Sequence, residues 1–316
     1  MSRDSPRLVR LRLTAKAITP PIVWSGLKAA KEARRRPDPD EIEQQDEAEQ
    51  PDEPALAASL PEWEYVPEGW ARAAGGWDVD AIARVYAEKW PSFLAATSGP
   101  GLLGVNHETP LGRELRRDDL DAQQMVLAYG YALALAARGR QRVSVLDWGG
   151  GPGHYAVLAR ALLPGAELDY HSRDLPALVA LGRRVSPRDS FHGDDECLAR
   201  TYDLVVASSS IHYVERWQET LQALAGAVHG YLYLARVPVA QHSPSFVVLQ
   251  RAQAYGYETE YLGWVLEAAE VLAEAQRAGL ELVREIKLPA WFSAAGAPED
   301  PVEHRAYLFG RPGVDS

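Results

Sequence analysis

Cysteine is almost missing: Cys197 stands alone among 316 residues. That excludes an intramolecular disulfide and a zinc site built on cysteine thiolates, and it gives no sign of an oxidising compartment. Long apolar runs are missing too, and nowhere does the chain approach the roughly 20 apolar residues that span a bilayer. Arg7, Arg10, Arg12 and Lys16 break up the N-terminal stretch, so it lacks the apolar core of a secretory signal. Positive charge is in deficit, with 33 Lys and Arg against 44 Asp and Glu and a net charge of -11. General nucleic-acid affinity needs clustered cations, so this balance argues against it. These absences predict a cytoplasmic protein.

What remains is ordinary for a globular chain: 47% hydrophobic and 24% charged residues, long enough for one α/β domain with an accessory region. Charge is unevenly placed. Residues 1–36 are basic, and Pro37 to Pro54 is acidic and poor in apolar side chains, which predicts a disordered linker. The basic arm carries Leu8, Val9, Leu11 and Leu13, then Ile22, Val23 and Trp24. It reads foremost as an arm packing on its own domain, with contact to an anionic membrane surface as the alternative.

The expected division is therefore an arm and linker at 1–55, a helical cap at 56–139 and an α/β core at 140–316. In the cap, Asp78 or Asp80 opens a helix through Ile82, Val85, Tyr86 and Trp90 that Pro91 disturbs, and a second helix begins near Asp118. From Val143 onward short apolar strands alternate with helices, predicting a doubly wound, mostly parallel sheet. Strands at Leu280–Ile286 and Ala306–Phe309 have no long helix between them and read as an antiparallel closing pair.

The informative run is Val145-Leu146-Asp147-Trp148-Gly149-Gly150-Gly151-Pro152-Gly153-His154. Gly149, Gly151 and Gly153 allow a sharp turn and close approach of a ligand at the carboxyl end of a strand. The dinucleotide fingerprint fits poorly, because its third glycine falls on His154 or Ala156. A P-loop is excluded, since no Gly-Lys-Ser/Thr follows.

The pattern Asp-x-Gly-x-Gly-x-Gly resembles the first motif of class I S-adenosylmethionine-dependent methyltransferases. The resemblance implies a Rossmann-like seven-stranded sheet with one antiparallel strand and S-adenosylmethionine as cofactor. It implies that Gly149, Gly151 and Gly153 cradle the methionine part, and that Asp147 helps hold the ammonium. Asp174 follows the second core strand at the spacing of a ribose-binding acid, and capping the helix near Pro176 is the competing role. Asp194, beside Asp195, stands where such enzymes meet the adenine amino group, though a solvated loop reads the same way.

The run Asp203 to Ser208 is a buried strand ending in Ser209-Ser210-Ile211-His212-Tyr213. In the resembling family this strand end faces the methyl donor, which places Ser208 against the cofactor. His212 is the candidate base by position, ahead of Tyr213 and Glu215; shaping the pocket is its alternative. The aromatic stretch Ala254 to Trp264 reads as a substrate-binding insertion or as packing against the N-terminal helices.

Further segments are similar to a less-characterised group of methyltransferases associated with surface-polysaccharide and natural-product genes. They are Pro20-Pro21-Ile22-Val23-Trp24, Leu146 to Gly151, Asp174 to Val179, Ala207 to Tyr213 and Arg236-Val237-Pro238. The expected function is methyl transfer to a small-molecule or glycan acceptor at oxygen. A non-catalytic scaffold and a nicotinamide-dependent oxidoreductase are the rivals.

Overall fold

Leu204 and Val206 point to one side of their strand and Val205 and Ala207 to the other, and all four are buried. A strand covered on both faces needs helices on both faces, as a doubly wound fold provides. The computed structural model describes residues 60–77, 80–110 and 112–313, so the basic arm and the acidic linker lie outside the described residues.

The core of the sheet runs in space from β4 (Ser190–His192) to β3 (Glu167–Arg173), β2 (Arg142–Trp148), β5 (Tyr202–Ser208) and β6 (Val228–Ala240). These five strands are parallel. Beyond β6 comes β10 (Val302–Gly310), antiparallel, and then β9 (Glu281–Phe292), antiparallel to β10. The result is the expected seven-stranded arrangement with one reversed strand.

One face carries α2 (Leu120–Ala137) and α3 (His154–Leu162), together with Trp90 and Phe93 of α1 (Asp80–Thr97). The other face carries α5 (Trp217–Gly226) and α6 (Ala268–Arg277). The remaining helix, α4 (Pro176–Val185), packs Leu178 and Leu181 against Ile82, Val85 and Tyr86 of α1.

Local signals set several boundaries. The Asp119 carboxylate accepts from the N–H groups of Asp121 (2.9 Å) and Ala122 (3.0 Å), which caps α2 one residue past the expected start. Pro176 occupies the first turn of α4, where its missing N–H costs nothing. Pro91 lies inside α1 without ending it: the helix continues to Thr97. A proline inside a helix costs about 3 kcal/mol, and the burial of Trp90 and Phe93 on either side of it offsets that cost.

Three further strands extend the sheet beyond the sequence reading. β7 (Phe246–Arg251) and β8 (Glu260–Glu267) form an antiparallel pair, and β1 (Trp63–Tyr65) adds to β7. β8 joins the main sheet at the end of β6, through Val239 with Leu266 and Ala240 with Glu267. The aromatic stretch is thus the β7–β8 connection and the first half of β8, and Tyr257 and Tyr261 pack against α1 and α4. Among the described residues no helix is long and apolar enough to cross a membrane.

Candidate active site

The strand β2 ends at Trp148, and the chain turns through Gly149 (φ +78°) and Gly151 (φ +57°) into α3. A side chain at Gly149 would place its Cβ 2.4 Å from Ser210 Cβ, so this turn and the one after β5 sit too close for anything but glycine. Gly150 is equally constrained: its Cβ would lie 2.3 Å from Asp147 Oδ2. Gly153 (φ +100°) begins α3 and faces Phe191 rather than the cavity beyond.

That cavity, of about 670 Å³, opens at the carboxyl ends of β2, β3, β5 and β6. It brings together Asp147, Gly149, Gly151, Asp174 and Ser208 of the sequence-derived set. Gly153, Asp194 and His212 do not line it. Asp194 is exposed and accepts a hydrogen bond from the Glu196 N–H (3.2 Å), capping a 3-10 turn. Its neighbour Asp195 instead accepts from Trp148 Nε1 (3.3 Å) and pairs with Arg173 (2.8 Å), whose guanidinium lies over the Trp148 ring. His212 lies behind Tyr213, fully buried, with Nδ1 lacking a partner among the described residues. Burial holds its imidazole neutral.

Asp147 is buried and receives one side-chain hydrogen bond, from the Tyr170 hydroxyl at 2.9 Å. Burial pushes its carboxyl up to about 7; the Tyr170 bond opposes this and the Asp174 charge adds to it. Asp174 accepts the Gly151 N–H (2.7 Å) on one oxygen and the Leu175 N–H (2.7 Å) on the other. Burial raises its pKa, and these two N–H bonds restrain the rise. Ser208 shares a 2.8 Å hydrogen bond with the Tyr155 hydroxyl.

Several lining residues carried no functional assignment in the sequence reading. Trp70 to Trp77, between β1 and α1, covers one side, anchored where Gly76 N–H donates to Glu260 O (3.0 Å) and Thr259 Oγ1 donates to Gly76 O (2.9 Å). Arg236 forms a hydrogen-bonded ion pair with Glu108. Burial disfavours the Glu108 carboxylate, but the Arg236 charge outweighs that and holds its pKa well below the usual range. Arg236 sits at a β-bulge: Arg305 pairs with Val237 and Tyr307 with Leu234, so Ala235 and Arg236 face the single residue Ala306. Its backbone is left-handed (φ +53°), as is that of Ser209 (φ +51°) at the end of β5. Strain of this kind persists where surrounding structure fixes it, and here it brings two polar residues to one rim. The charge of Arg236 inside a buried strand was a readable signal; its partner, 128 residues away, was not.

The order of the seven core strands, the acid ending β2 and the glycine turn define the class of Rossmann-like, S-adenosylmethionine-dependent methyltransferases. Residues 123–285, over half of the chain, match the family described as a methyltransferase domain, and the chain belongs to that family. No curated protein matches the sequence. Among solved structures, the magnesium protoporphyrin IX methyltransferase of Synechocystis PCC 6803, solved with bound SAH, is similar at 14% identity and a TM-score of 0.45. The match covers 73% of this chain and 98% of that one. The 1,6-didemethyltoxoflavin-N1-methyltransferase of Burkholderia thailandensis is similar at 16% identity and a TM-score of 0.43, covering 78% of this chain and 99% of that one.

Proposed function

We propose that the chain transfers a methyl group from S-adenosylmethionine to a hydroxyl of a small-molecule acceptor. The carrying observation is the wall that joins Asp147, the Gly149–Gly151 turn and Asp174 at the ends of β2 and β3. The residues fit the cofactor. Asp147 is a buried acid with a single side-chain donor among the described residues and a raised pKa, which an ammonium partner would relieve. The glycine turn leaves open space at Gly151, where a Cβ would meet nothing nearer than 3.9 Å. Each oxygen of Asp174 has accepting capacity beyond its one N–H bond, as two ribose hydroxyls require.

When bound, the cofactor supplies a sulfonium methyl with a good leaving group, so alignment and exclusion of water carry most of the catalysis. Ser208 and Tyr155 line the cavity at the end of β5, and the Trp70–Trp77 segment covers one side of it. His212 has no base role in this reading, because its ring does not reach the cavity. Asp194 has no adenine role in this reading, because its carboxylate caps a 3-10 turn through the Glu196 N–H and does not line the cavity.

The test is calorimetric titration of S-adenosylmethionine and S-adenosylhomocysteine into the wild type and Asp174→Ala. Binding that the substitution weakens supports the reading. A folded wild type that binds neither would remove it and favour a non-catalytic scaffold.

A further inference from the structure

A second cavity, of about 460 Å³, adjoins the first. Trp77, Glu108, Ser209, Tyr213, Arg236 and Tyr261 line both, so they form the passage between them. Its walls are aromatic. Trp63 of β1 stacks on Phe292 of β9 with ring centroids 4.1 Å apart, and Trp77 stacks on Tyr261 at 4.1 Å. Tyr255 and Tyr257 add a further stacked pair, at 5.9 Å, on the β7–β8 connection. Flat faces at this density bind flat ligands through stacking and apolar burial.

Polar groups are interspersed among these rings, Asn106, Ser293 and His304 included. Tyr213 donates to Gln250 Oε1 (3.0 Å), and Gln250 Nε2 donates to Glu62 (3.3 Å), so those groups satisfy one another. The Arg236 guanidinium stands in the passage, paired with Glu108. The buried indole N–H of Trp77, also in the passage, has no acceptor among the described residues. Resting on the cofactor reading above, we propose that this second cavity is the acceptor chamber and takes a planar aromatic molecule bearing an acidic hydroxyl, held with that hydroxyl at Arg236.

The acid-base character of the rim agrees. Burial takes His304, within the chamber, and His107, beside the passage, down to about 4, so neither takes up a proton at neutral pH. Glu108 is engaged by Arg236 and stays ionised. An aliphatic sugar hydroxyl would need a stronger base than these. An acidic phenol needs a strong hydrogen-bond donor beside its oxygen rather than a base, with its proton released to solvent, and the Arg236 guanidinium, held in place by Glu108, is that donor.

Alizarin (1,2-dihydroxyanthraquinone) is the probe, because its absorbance reports its own ionisation. It is titrated into the full-length protein with and without S-adenosylhomocysteine, alongside methyl α-D-glucopyranoside as the sugar comparison. Saturable alizarin binding is expected, at least about tenfold weaker in Tyr255→Ala, with the bound dye ionising at lower pH than in water. That ionisation shift should disappear in the double variant Glu108→Gln, Arg236→Gln, which leaves no lone buried charge, and persist in Arg236→Lys. Preferential binding of the glucoside, or alizarin binding indifferent to both Tyr255 and Arg236, would overturn the proposal. Absent alizarin binding to a protein that binds S-adenosylhomocysteine would overturn it too, while leaving the cofactor reading in place. Failure of S-adenosylhomocysteine to bind strikes the cofactor reading instead.

Discussion

The Gly151 backbone N–H donates to Asp174 Oδ2 at 2.7 Å, so the acid after β3 holds the glycine turn that follows β2. One carboxylate therefore both shapes the first cavity and lines it. Asp174→Ala should weaken S-adenosylhomocysteine binding by at least about tenfold, on the usual worth of a charge-assisted bond of ~1.5–3 kcal/mol. Asp174→Asn keeps one acceptor and should fall between the two. Calorimetry on all three proteins checks the order.

Asp147 predicts a pH dependence. Its carboxyl in the free protein is pushed up to about 7, so below that pH it is largely protonated and cannot pair with an ammonium. Affinity for S-adenosylhomocysteine should therefore be about tenfold weaker at pH 6 than at pH 8, the span of one titrating group centred near 7. Asp147→Asn should flatten the profile.

The same shift carries the opposite sign for stability. A carboxyl whose folded pKa lies above its unfolded value destabilises the fold as pH rises from about 4 to about 7. Asp147→Asn is thus expected to raise the melting temperature of the ligand-free protein at pH 8 while weakening binding. A melting temperature unchanged or lowered by Asn would count against the buried-charge account.

Gly150 offers a steric test. An added Cβ would sit 2.3 Å from Asp147 Oδ2 and 2.7 Å from Ser172 Oγ, both on strands with no room to withdraw. Gly150→Ala should lower stability by about 1–3 kcal/mol, the usual cost of overpacking, and abolish measurable S-adenosylhomocysteine binding. Denaturant unfolding and calorimetry on one preparation give both readouts.

The Glu108–Arg236 pair should show the asymmetry of partly buried ion pairs. Glu108→Gln strands a guanidinium and should cost about 2–4 kcal/mol, toward the lower side of the buried-pair range because both side chains keep some solvent contact. The double replacement by Gln should cost less than Glu108→Gln alone. Because Arg236 holds the Glu108 carboxyl low, the pair's contribution is present above the usual carboxylate pKa and fades as pH falls through the depressed value.

His212→Leu should leave S-adenosylhomocysteine affinity within about twofold. The ring is buried, neutral and outside both cavities, and an orphaned Nδ1 costs more than an apolar replacement of similar size.

The central sheet was readable because its strands are short apolar runs set between glycines and helix signals. Asp147, Gly149, Gly151 and Asp174 come together at one cavity because backbone turns and strand ends fix where such residues must sit. His212 does not line that cavity: a histidine after β5 points toward it only if the turn lets it, and here Tyr213 takes that place. β7 and β8 pair locally across the tyrosine-rich connection that obscured them, whereas β1 was opaque because its pairing joins residues near 64 to residues near 249, which no local pattern announces. The same distance hid Glu108, whose importance rests entirely on meeting Arg236.

The β7–β8 pair hangs from the rest of the sheet by the last residues of β6, Val239 and Ala240. Yet the stretch from 241 to 266 is tied to the first cavity, since Tyr261 and Leu262 line it and Thr259 and Glu260 hold Gly76 of its cover. A change in this one hairpin is therefore felt in both cavities at once, which couples the evolution of the two.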